Sequence, residues 1–209
     1  MASLLYIEAS PRKDRSASIS ITNTFIEEYR KTHSEDQIKT IDLWQTTIPE
    51  FDGEVINSKY AILHGLEHTG SQKQAWAAVE KVISQFTGCD KYLFSLPMWN
   101  FGIPYKLKHY IDVIVQPGYT FSFSPEEGYQ GLVTGKPVAA VYARGGSYPS
   151  GSDMASYDFQ KTYMELFLGF IGFSEFQSIV VEETLGPADI KEKNMAAARE
   201  LAKNIAANF

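Results

Sequence analysis

The stretch LLYIEASPRKDRSASISITNTFIEEY, residues 4–29, decides the fold prediction. Residues 4–7 form an apolar run that is too short for a helix, and they predict a buried first strand that ends at Ser10 and Pro11. A helix is predicted from Ser18 onward, because apolar residues recur every four positions at Ile21, Phe25 and Tyr29. Ser18 is the expected N-cap, since its side-chain oxygen can accept from an otherwise free backbone N–H.

The same strand-then-helix alternation continues along the chain. Further strands are predicted at 38–43, 92–96, 137–143 and 176–181. Helical spacing of apolar residues predicts the intervening helices, which are marked by Trp76, Val79, Ile83 and Phe86, by Leu107, Ile111 and Ile114, by Phe159, Tyr163, Leu166 and Phe170, and by Ile190, Asn194, Ala198, Leu201, Ile205 and Phe209. Five strands interleaved with helices indicate an α/β fold, a doubly wound parallel sheet with helices on both faces.

Two segments interrupt this alternation. Residues 46–60 and 116–136 are predicted as long loops, which in compact domains tend to be functional or disordered. The second contains four aromatic residues, Tyr119, Phe121, Phe123 and Tyr129, and we expect them to cover a ligand, a partner subunit, or both. No internal repeat or low-complexity linker divides the chain, so residues 1–209 are expected to form a single domain.

The composition excludes several function classes. The 209 residues carry 19 basic and 25 acidic side chains, and the formal net charge of −6 is unfavourable for a general nucleic-acid binder. No apolar run approaches the roughly 18 residues that a membrane helix requires. The N-terminal run is interrupted by Glu8, which argues against a signal peptide. We therefore expect a cytoplasmic protein with neither a nucleic-acid nor a membrane partner.

Cysteine and histidine positions argue against a metal site. Cys89 is the only cysteine, and a small buried hydrophobe is favoured over a reactive thiol. His64 and His68 have the i, i+4 spacing of two metal ligands on a helix, but an exposed helical face is the favoured interpretation, because no third ligand is evident. His109 is interpreted as a surface residue in preference to a catalytic base.

Chemistry is expected in the loops after strands one, three and four, because open α/β sheets bind ligands beyond the carboxyl ends of their strands. The first loop, 10–18, combines three hydroxyl groups and several basic side chains with a helix N-terminus, which favours a phosphate. A polar turn with a serine cap is an equal alternative. The loop is neither a Walker A sequence nor G-x-G-x-x-G, so nucleoside triphosphate and dinucleotide-fold NAD sites are disfavoured.

The other two loops have the composition of a ring-binding site. Residues 97–104 present two large aromatics, an amide and a glycine, which could line a flat heteroaromatic ring, although Trp99 and Phe101 could equally fill the core. In residues 143–148 the paired Gly145 and Gly146 allow a backbone to approach a ligand closely, although a simple turn explains them too. The prediction of a site depends on all three loops meeting at one edge.

At these loops the sequence resembles the bacterial family of FMN-dependent NADH:quinone oxidoreductases and azoreductases. The likeness spans nearly the whole chain. It is most specific at Ser10, SAS (16–18), PMWNF (97–101), LVTGK (132–136), RGG (144–146) and FLGFIG (167–172). The resemblance implies a flavodoxin-like sheet of order 2-1-3-4-5 and a homodimer whose active sites, each with one FMN, lie at the subunit interface.

The resemblance also implies roles for individual residues. The FMN phosphate would be held by Ser10, Ser16, Ala17 and Ser18, and the isoalloxazine bordered by Pro97, Met98, Trp99, Asn100, Phe101, Ala143, Arg144, Gly145 and Gly146. Two positions depart from the family pattern. Ala17 stands where relatives often have Gln, which removes one side-chain contact with the ribityl phosphate, and Trp99 stands where Tyr is usual, which removes a hydroxyl and enlarges the stacking surface.

The implied reaction is the transfer of two electrons from NADH or NADPH to quinones, with reductive cleavage of azo compounds, in ping-pong kinetics. The flavin N5 carries the chemistry, so no catalytic side chain is predicted. Tyr119 and Phe121 are the predicted acceptor-binding residues. Two alternatives remain, namely an FMN-bearing electron carrier or regulator and a flavin-free module that uses the phosphate loop for another ligand.

Overall fold

A computed structural model describes residues 1–63, 66–67 and 69–209 of the chain. Seven strands are present there: β1 Ser3–Glu8, β2 Gln37–Asp42, β3 Lys91–Pro97, β4 Phe121–Ser124, β5 Gly128–Gly131, β6 Val138–Ala143 and β7 Phe176–Val181. The α-helices of the same residues are α1 Ala17–Thr32, α2 Gly53–Leu63, α3 Gly70–Thr87, α4 Tyr105–Ile114, α5 Phe159–Ile171 and α6 Ala188–Ala207. His64 and His68 lie outside the described residues.

The main sheet confirms the predicted fold class. Its five strands are all parallel and run in the order β2-β1-β3-β6-β7, which is the doubly wound flavodoxin-like order 2-1-3-4-5. The inner strands are continuous apolar runs because helices cover both faces of a parallel sheet. Every residue of β6 is buried, whereas β2, at the edge, is largely exposed.

Each face of the sheet has its own hydrophobic core. On one face α1 and α6 pack against the sheet and against each other, with Phe25 and Tyr29 on one helix opposite small residues on the other. The helices α3, α4 and α5 cover the second face, where Trp76, Ile83 and Phe86 are buried as predicted. Cys89 is also buried, as expected of a small hydrophobe.

The two predicted long loops are partly regular structure. Residues 53–60 of the first belong to α2, so the prediction of a loop there was wrong. The second contains β4 and β5, an antiparallel hairpin outside the main sheet. It packs so closely on the end of α5 that a Cβ on Gly131 would lie 2.3 Å from the backbone nitrogen of Gly172. Two backbones that come this close require a glycine, which has no Cβ. Because the two segments are far apart in the chain, no local sequence pattern predicts the contact.

Three details of the helices differ from the sequence prediction. Ser16, rather than Ser18, caps α1, because its side chain accepts from the backbone nitrogen of Ile19. The residues that mark α5 are not its buried face, since Phe159 and Leu166 are 59% and 70% exposed. In α6 the buried face is Met195, Ala198, Ala202 and Ala206, only one of which belongs to the predicted stripe.

Candidate functional site

The three predicted loops meet at the carboxyl edge of the main sheet. They follow β1, β3 and β6, which are neighbours in the sheet. Backbone hydrogen bonds tie the edge together: the Ala9 nitrogen donates to the Ser95 oxygen at 2.9 Å, and the Met98 nitrogen donates to the Ala143 oxygen at 2.7 Å. The sheet order therefore brings together segments that are far apart in the sequence, as predicted.

The loop after β1 holds three buried hydroxyl groups at the start of α1. Ser10, Ser16 and Ser18 are all at most 5% exposed. The Oγ atoms of Ser16 and Ser18 lie 3.1 Å apart, and Ser10 Oγ accepts from the Arg12 nitrogen at 3.4 Å. Ala17 is the first residue of α1 and brings no polar side-chain atom. Hydroxyls beside free helix N–H groups form an environment that favours an anion.

Lys13 belongs to this loop, but its charge is already neutralised. Its Nζ is paired with the carboxylates of Glu8 and Asp42, at the ends of β1 and β2. Burial opposes the charged form, but the hydrogen bonds to Asp42 and Glu8 outweigh it and raise the pKa of Lys13. The residue adopts a positive φ of 48° inside a short 3-10 turn. Lys13 thus fixes the shape of the loop and is not available to an anion.

The loop after β3 is a tight, strained turn. Trp99 and Gly102 exchange backbone hydrogen bonds of 3.0 and 2.9 Å. The two residues between them, Asn100 and Phe101, have positive φ angles of 47° and 70°, a region that non-glycine residues rarely adopt. Both side chains are exposed at the edge, and the Phe101 ring lies 5.3 Å from that of Tyr157. Strain of this kind recurs at ligand sites.

Trp99 occupies a different position from its neighbours. Its ring packs 5.7 Å from that of Trp44 and 6.4 Å from that of Tyr105. The three aromatics stand beside an open groove of about 640 Å³ between this loop and α4. His109 lines the same groove half-buried, and its Nε2 lies 2.9 Å from the Pro49 oxygen, so it is less exposed than a surface residue.

The loop after β6 begins with a buried cation, whose ion pairs stabilise the loop. Arg144 is 2% exposed, and its Nη1 lies 2.7 Å from a carboxylate oxygen of Asp158 and 3.6 Å from one of Glu182. Glu182 in turn accepts from Ser147 Oγ and from the Tyr148 nitrogen, both at 2.8 Å. Because a buried charge is tolerated only when it is paired, this network gives the Gly145-Gly146 turn one defined shape.

The edge also presents hydrogen-bond donors that the chain does not use. Within the described residues, the amide nitrogens of Asn100, Gly145 and Gly146 donate to no other atom. The buried Nε and Nη2 of Arg144 likewise have no partner there. Buried donors normally have partners, so the two unused nitrogens of Arg144 are consistent with a bound acceptor. These donors fit the carbonyl-bearing ring of FMN, and the hydroxyl-lined start of α1 fits its phosphate.

Tyr119 and Phe121 do not join the three loops within one chain. The Trp76 Nε1 donates to the Tyr119 hydroxyl at 3.4 Å, and that hydroxyl also donates to Glu80. Burial and the bond to Glu80 raise the pKa of Tyr119. The Phe121 ring lies 4.8 Å from that of Phe170. Both residues follow the end of α4, whose ten residues separate them from the carboxyl edge by about 15 Å.

A second group of residues at this edge escaped the sequence prediction. Arg12, Arg15, Leu185 and Lys191 line a cavity of about 410 Å³ that adjoins Ser16 and Ala17. The two arginines belong to the first predicted loop, but Leu185 and Lys191 follow β7, and the sequence analysis predicted no site at the end of that strand. A leucine directly before Gly186 and Pro187, in the turn that follows a predicted strand, was the available signal.

The part of the chain that the structure describes has neither a membrane-spanning helix nor a metal-binding cluster. None of the helices in that part of the chain has the length and apolar character needed to cross a membrane. Across the same residues, no three side chains of His, Cys, Asp or Glu come together in a way that could hold a metal ion.

The geometry defines a class of protein: an open, doubly wound α/β sheet with a nucleotide-type site at its carboxyl edge. Residues 2–205 match the family described as having a flavodoxin-like fold. The chain belongs to this flavodoxin-like family and, within it, to the group of FMN-dependent NADH:quinone oxidoreductases. Two relatives carry that name, one from Desulfotalea psychrophila and one from Nitratidesulfovibrio vulgaris. The first is 51% identical over 95% of this chain and 93% of the relative, and the second is 44% identical over the full length of both.

Solved structures support the same grouping. An azoreductase from Bacillus anthracis superposes with a TM-score of 0.92 at 30% identity, covering 100% of both chains. A second structure from that organism, an FMN-dependent NADH-azoreductase in complex with FMN, has a TM-score of 0.87 at 26% identity and covers 99% of this chain and 100% of its own.

Proposed function

We propose that the chain binds FMN and transfers two electrons from NADH or NADPH to quinones, and that it cleaves aromatic azo compounds reductively, in ping-pong kinetics. The observation that carries the proposal is the meeting of three loops at one sheet edge, with buried hydroxyls and unused donors, in a chain whose relatives bear these activities in their names. We further propose that residues 1–209 form one FMN-binding domain and that the protein is cytoplasmic.

In this proposal each loop binds one part of the cofactor. Ser10, Ser16 and Ser18, with the backbone of Ala17, hold the phosphate at the start of α1. The ring is bordered by the residues of the other two loops, Pro97, Met98, Trp99, Asn100, Phe101, Ala143, Arg144, Gly145 and Gly146. The amides of Gly145 and Gly146 donate to its carbonyl edge, and Arg144 keeps them in position through Asp158 and Glu182.

The division of work between cofactor and protein follows from the site. When bound, FMN supplies the redox chemistry, accepting hydride from the nicotinamide at N5 and passing two electrons to the acceptor. The chain orients the ring through the strained turn at Asn100 and Phe101. It also supplies donors that stabilise negative charge at the ring edge, where they cost no reorganisation because they are already in place. No side chain needs to act as a catalytic acid or base.

We also propose that the active protein is a homodimer formed across the apolar groove between α4 and α5. This α4–α5 groove is lined by six apolar or aromatic residues and one carboxylate, namely Ile111, Asp112, Val115, Tyr163, Leu166, Phe167 and Phe170. The hairpin aromatics Phe123 and Tyr129, which are 60% and 64% exposed, extend the same surface. Exposed apolar areas of this extent mark interfaces. Antiparallel pairing of two α4 helices would place the hairpin of one copy, with Tyr119 and Phe121, over the loops of the other.

The visible spectrum of the purified protein, recorded anaerobically before and after NADH is added, tests the proposed function. We expect a flavin band that bleaches with NADH and returns when benzoquinone is added. A bound flavin that neither NADH nor NADPH reduces would favour an electron carrier or a regulator. A protein that binds no FMN would contradict the proposal.

Gel filtration with light scattering tests the dimer. For the hairpin, steady-state kinetics of Tyr119→Ala and Phe121→Ala are decisive. We expect the acceptor KM to rise while the half-reaction with NADH is unchanged. Unchanged kinetics with every acceptor would show that neither residue contacts the acceptor.

A further inference from the structure

The cavity of about 410 Å³ beside the phosphate loop, here called the basic cavity, is not required for the proposed reaction. Its wall includes Ser16 and Ala17, which also belong to the loop that holds the flavin phosphate in the proposed function. A group attached to that phosphate would therefore extend into the cavity. The volume is within the range of about 300–1,000 Å³ that is common for small-molecule sites.

The basic cavity has an excess of positive charge in an acidic protein. Arg12, Arg15 and Lys191 line it, and none of the three forms an ion pair with any described residue. Asp14 is the one carboxylate of the lining, so the three cations leave a formal excess of two positive charges. Lys13, by contrast, is neutralised by Glu8 and Asp42. Unpaired cations around a concave surface attract an anion, and arginine suits phosphate in particular.

The cavity also has an apolar side, which a simple phosphate site does not need. Leu185 presents a large apolar side chain to the cavity, and this side chain is 83% exposed. It rests on Gly145, where a Cβ would lie 2.8 Å from Leu185 Cδ1, so it lies between the ring-edge loop and the cavity. Met195, 5% exposed, contributes a second apolar side chain to the lining. Apolar side chains of this kind suit a flat base.

We propose that the basic cavity is a subsite for an adenylate group joined to the flavin phosphate, so that the protein accepts FAD as well as FMN. The inference rests on the proposed function, because it needs the flavin phosphate at Ser16. Arg12 and Arg15 contact the pyrophosphate, Lys191 neutralises its second charge, and the adenine lies against Leu185. Ser20 and Thr184 also line the cavity, and their hydroxyl oxygens accept from the ribose hydroxyls.

The test compares FAD with FMN on the full chain freed of flavin, by isothermal titration calorimetry with each flavin. Lys191→Glu is the decisive variant, because Lys191 lies on α6 and outside the phosphate loop. We expect it to weaken FAD binding about fivefold to tenfold, in line with loss and reversal of one exposed charge contact, and FMN binding by less than about twofold. Lys193→Glu makes the same charge change on the same helix outside the cavity, and it should alter neither affinity.

Leu185→Ser supplies a second, uncharged variant with the same expected selectivity for FAD. The proposal is overturned if FMN binds and FAD does not, or if Lys191→Glu and Lys193→Glu weaken FAD equally. Titration of the FMN-loaded protein with AMP tests whether the cavity instead binds a free adenine nucleotide. Binding of AMP that depends on Lys191, without binding of FAD, would assign the cavity to a free nucleotide and reject the dinucleotide. Loss of FMN binding in the unaltered chain would instead reject the proposed function.

Discussion

The two faces of the sheet differ in how completely one chain covers them. On the α1–α6 face, Phe25 and Tyr29 are fully buried, and Ala198, Ala202 and Ala206 let the two helices approach closely. On the α3–α4–α5 face the core is larger, but Leu166, Phe123 and Tyr129 remain mostly exposed. One chain buries most of the apolar surface of the first face, whereas the second carries large apolar side chains that the chain leaves exposed.

This difference separates stability from function in the molecule. The buried residues of the α1–α6 face contribute mainly to the folding free energy. Exposed residues of the other face contribute little to folding of one chain, and their value lies in what they bind. The carboxyl edge, with its three loops, connects both faces. Substitutions on the two faces should therefore affect different measurements.

The largest expected effect is on the α1–α6 face. Phe25→Ala removes a ring that lies 6.2 Å from that of Tyr29 and 5.3 Å from that of Phe209. We expect the free energy of unfolding to fall by about 3–5 kcal/mol, the usual cost of deleting a buried phenylalanine. Urea denaturation followed by circular dichroism measures it. Leu201→Ala, on exposed α6 surface, is the control, with a change within about 0.5 kcal/mol. A loss below about 1 kcal/mol for Phe25→Ala would contradict the assignment of this face to stability.

The sequence predicted the buried stripes of α1, α3 and α4 correctly, whereas α5 and α6 bury largely different residues from those predicted. Apolar runs identified the inner strands β1, β3 and β6, because the interior of a parallel sheet is buried on both sides. The three loops were found because strand ends and loop composition can both be read locally. In α5 the residues Phe159 and Leu166 have helical spacing but are exposed, since spacing shows that a stripe is apolar and does not show what covers it.

Other features depend on contacts between distant segments. The hairpin strands have only four residues each, and the glycine-rich β5 resembles a loop. The need for Gly131 arises from Gly172, forty-one positions further along the chain. Likewise, Lys13 looks like a phosphate ligand in the sequence, and only the fold shows Glu8 and Asp42 beside it. The site was predictable as three loops, but the roles of its charged residues were not.

The second prediction concerns the α3–α4–α5 face. Leu166→Asp places a charge in the α4–α5 groove, where Leu166 is 70% exposed in one chain. Burying that charge in a dimer is unfavourable, so we expect self-association to weaken by about 2 kcal/mol, roughly 30-fold in the dissociation constant. Sedimentation velocity over a concentration series measures it. Leu201→Asp on α6 makes the same change on the α1–α6 face and should leave association unaltered. Equal dissociation constants for the two variants would place the interface elsewhere.

The smallest expected effect is a pH dependence of the folding stability that arises on the α1–α6 face. Asp36 accepts from the Tyr29 hydroxyl at 2.7 Å and from the Ala2 nitrogen, and it lies 3.4 Å from Lys91 Nζ. These contacts, the Tyr29 bond first, lower the pKa of Asp36 from 3.8 to about 2. Because the folded-state pKa is the lower one, the stabilisation is complete above pH 4 and is lost as the pH falls toward 2.

Asp36→Asn removes this titration and therefore isolates it from that of the other carboxylates. After allowance for solvent screening, we expect the variant to be less stable than the unaltered protein by up to about 1 kcal/mol at pH 6, and the difference should shrink between pH 4 and 2. Denaturant titrations at several pH values measure the difference, with Glu35→Gln as the exposed neighbouring control. A difference that stayed constant down to pH 2 would mean that the carboxylate charge does not stabilise this face. The contact with Tyr29 would then be an ordinary neutral hydrogen bond, and burial alone would account for the stability of the α1–α6 face.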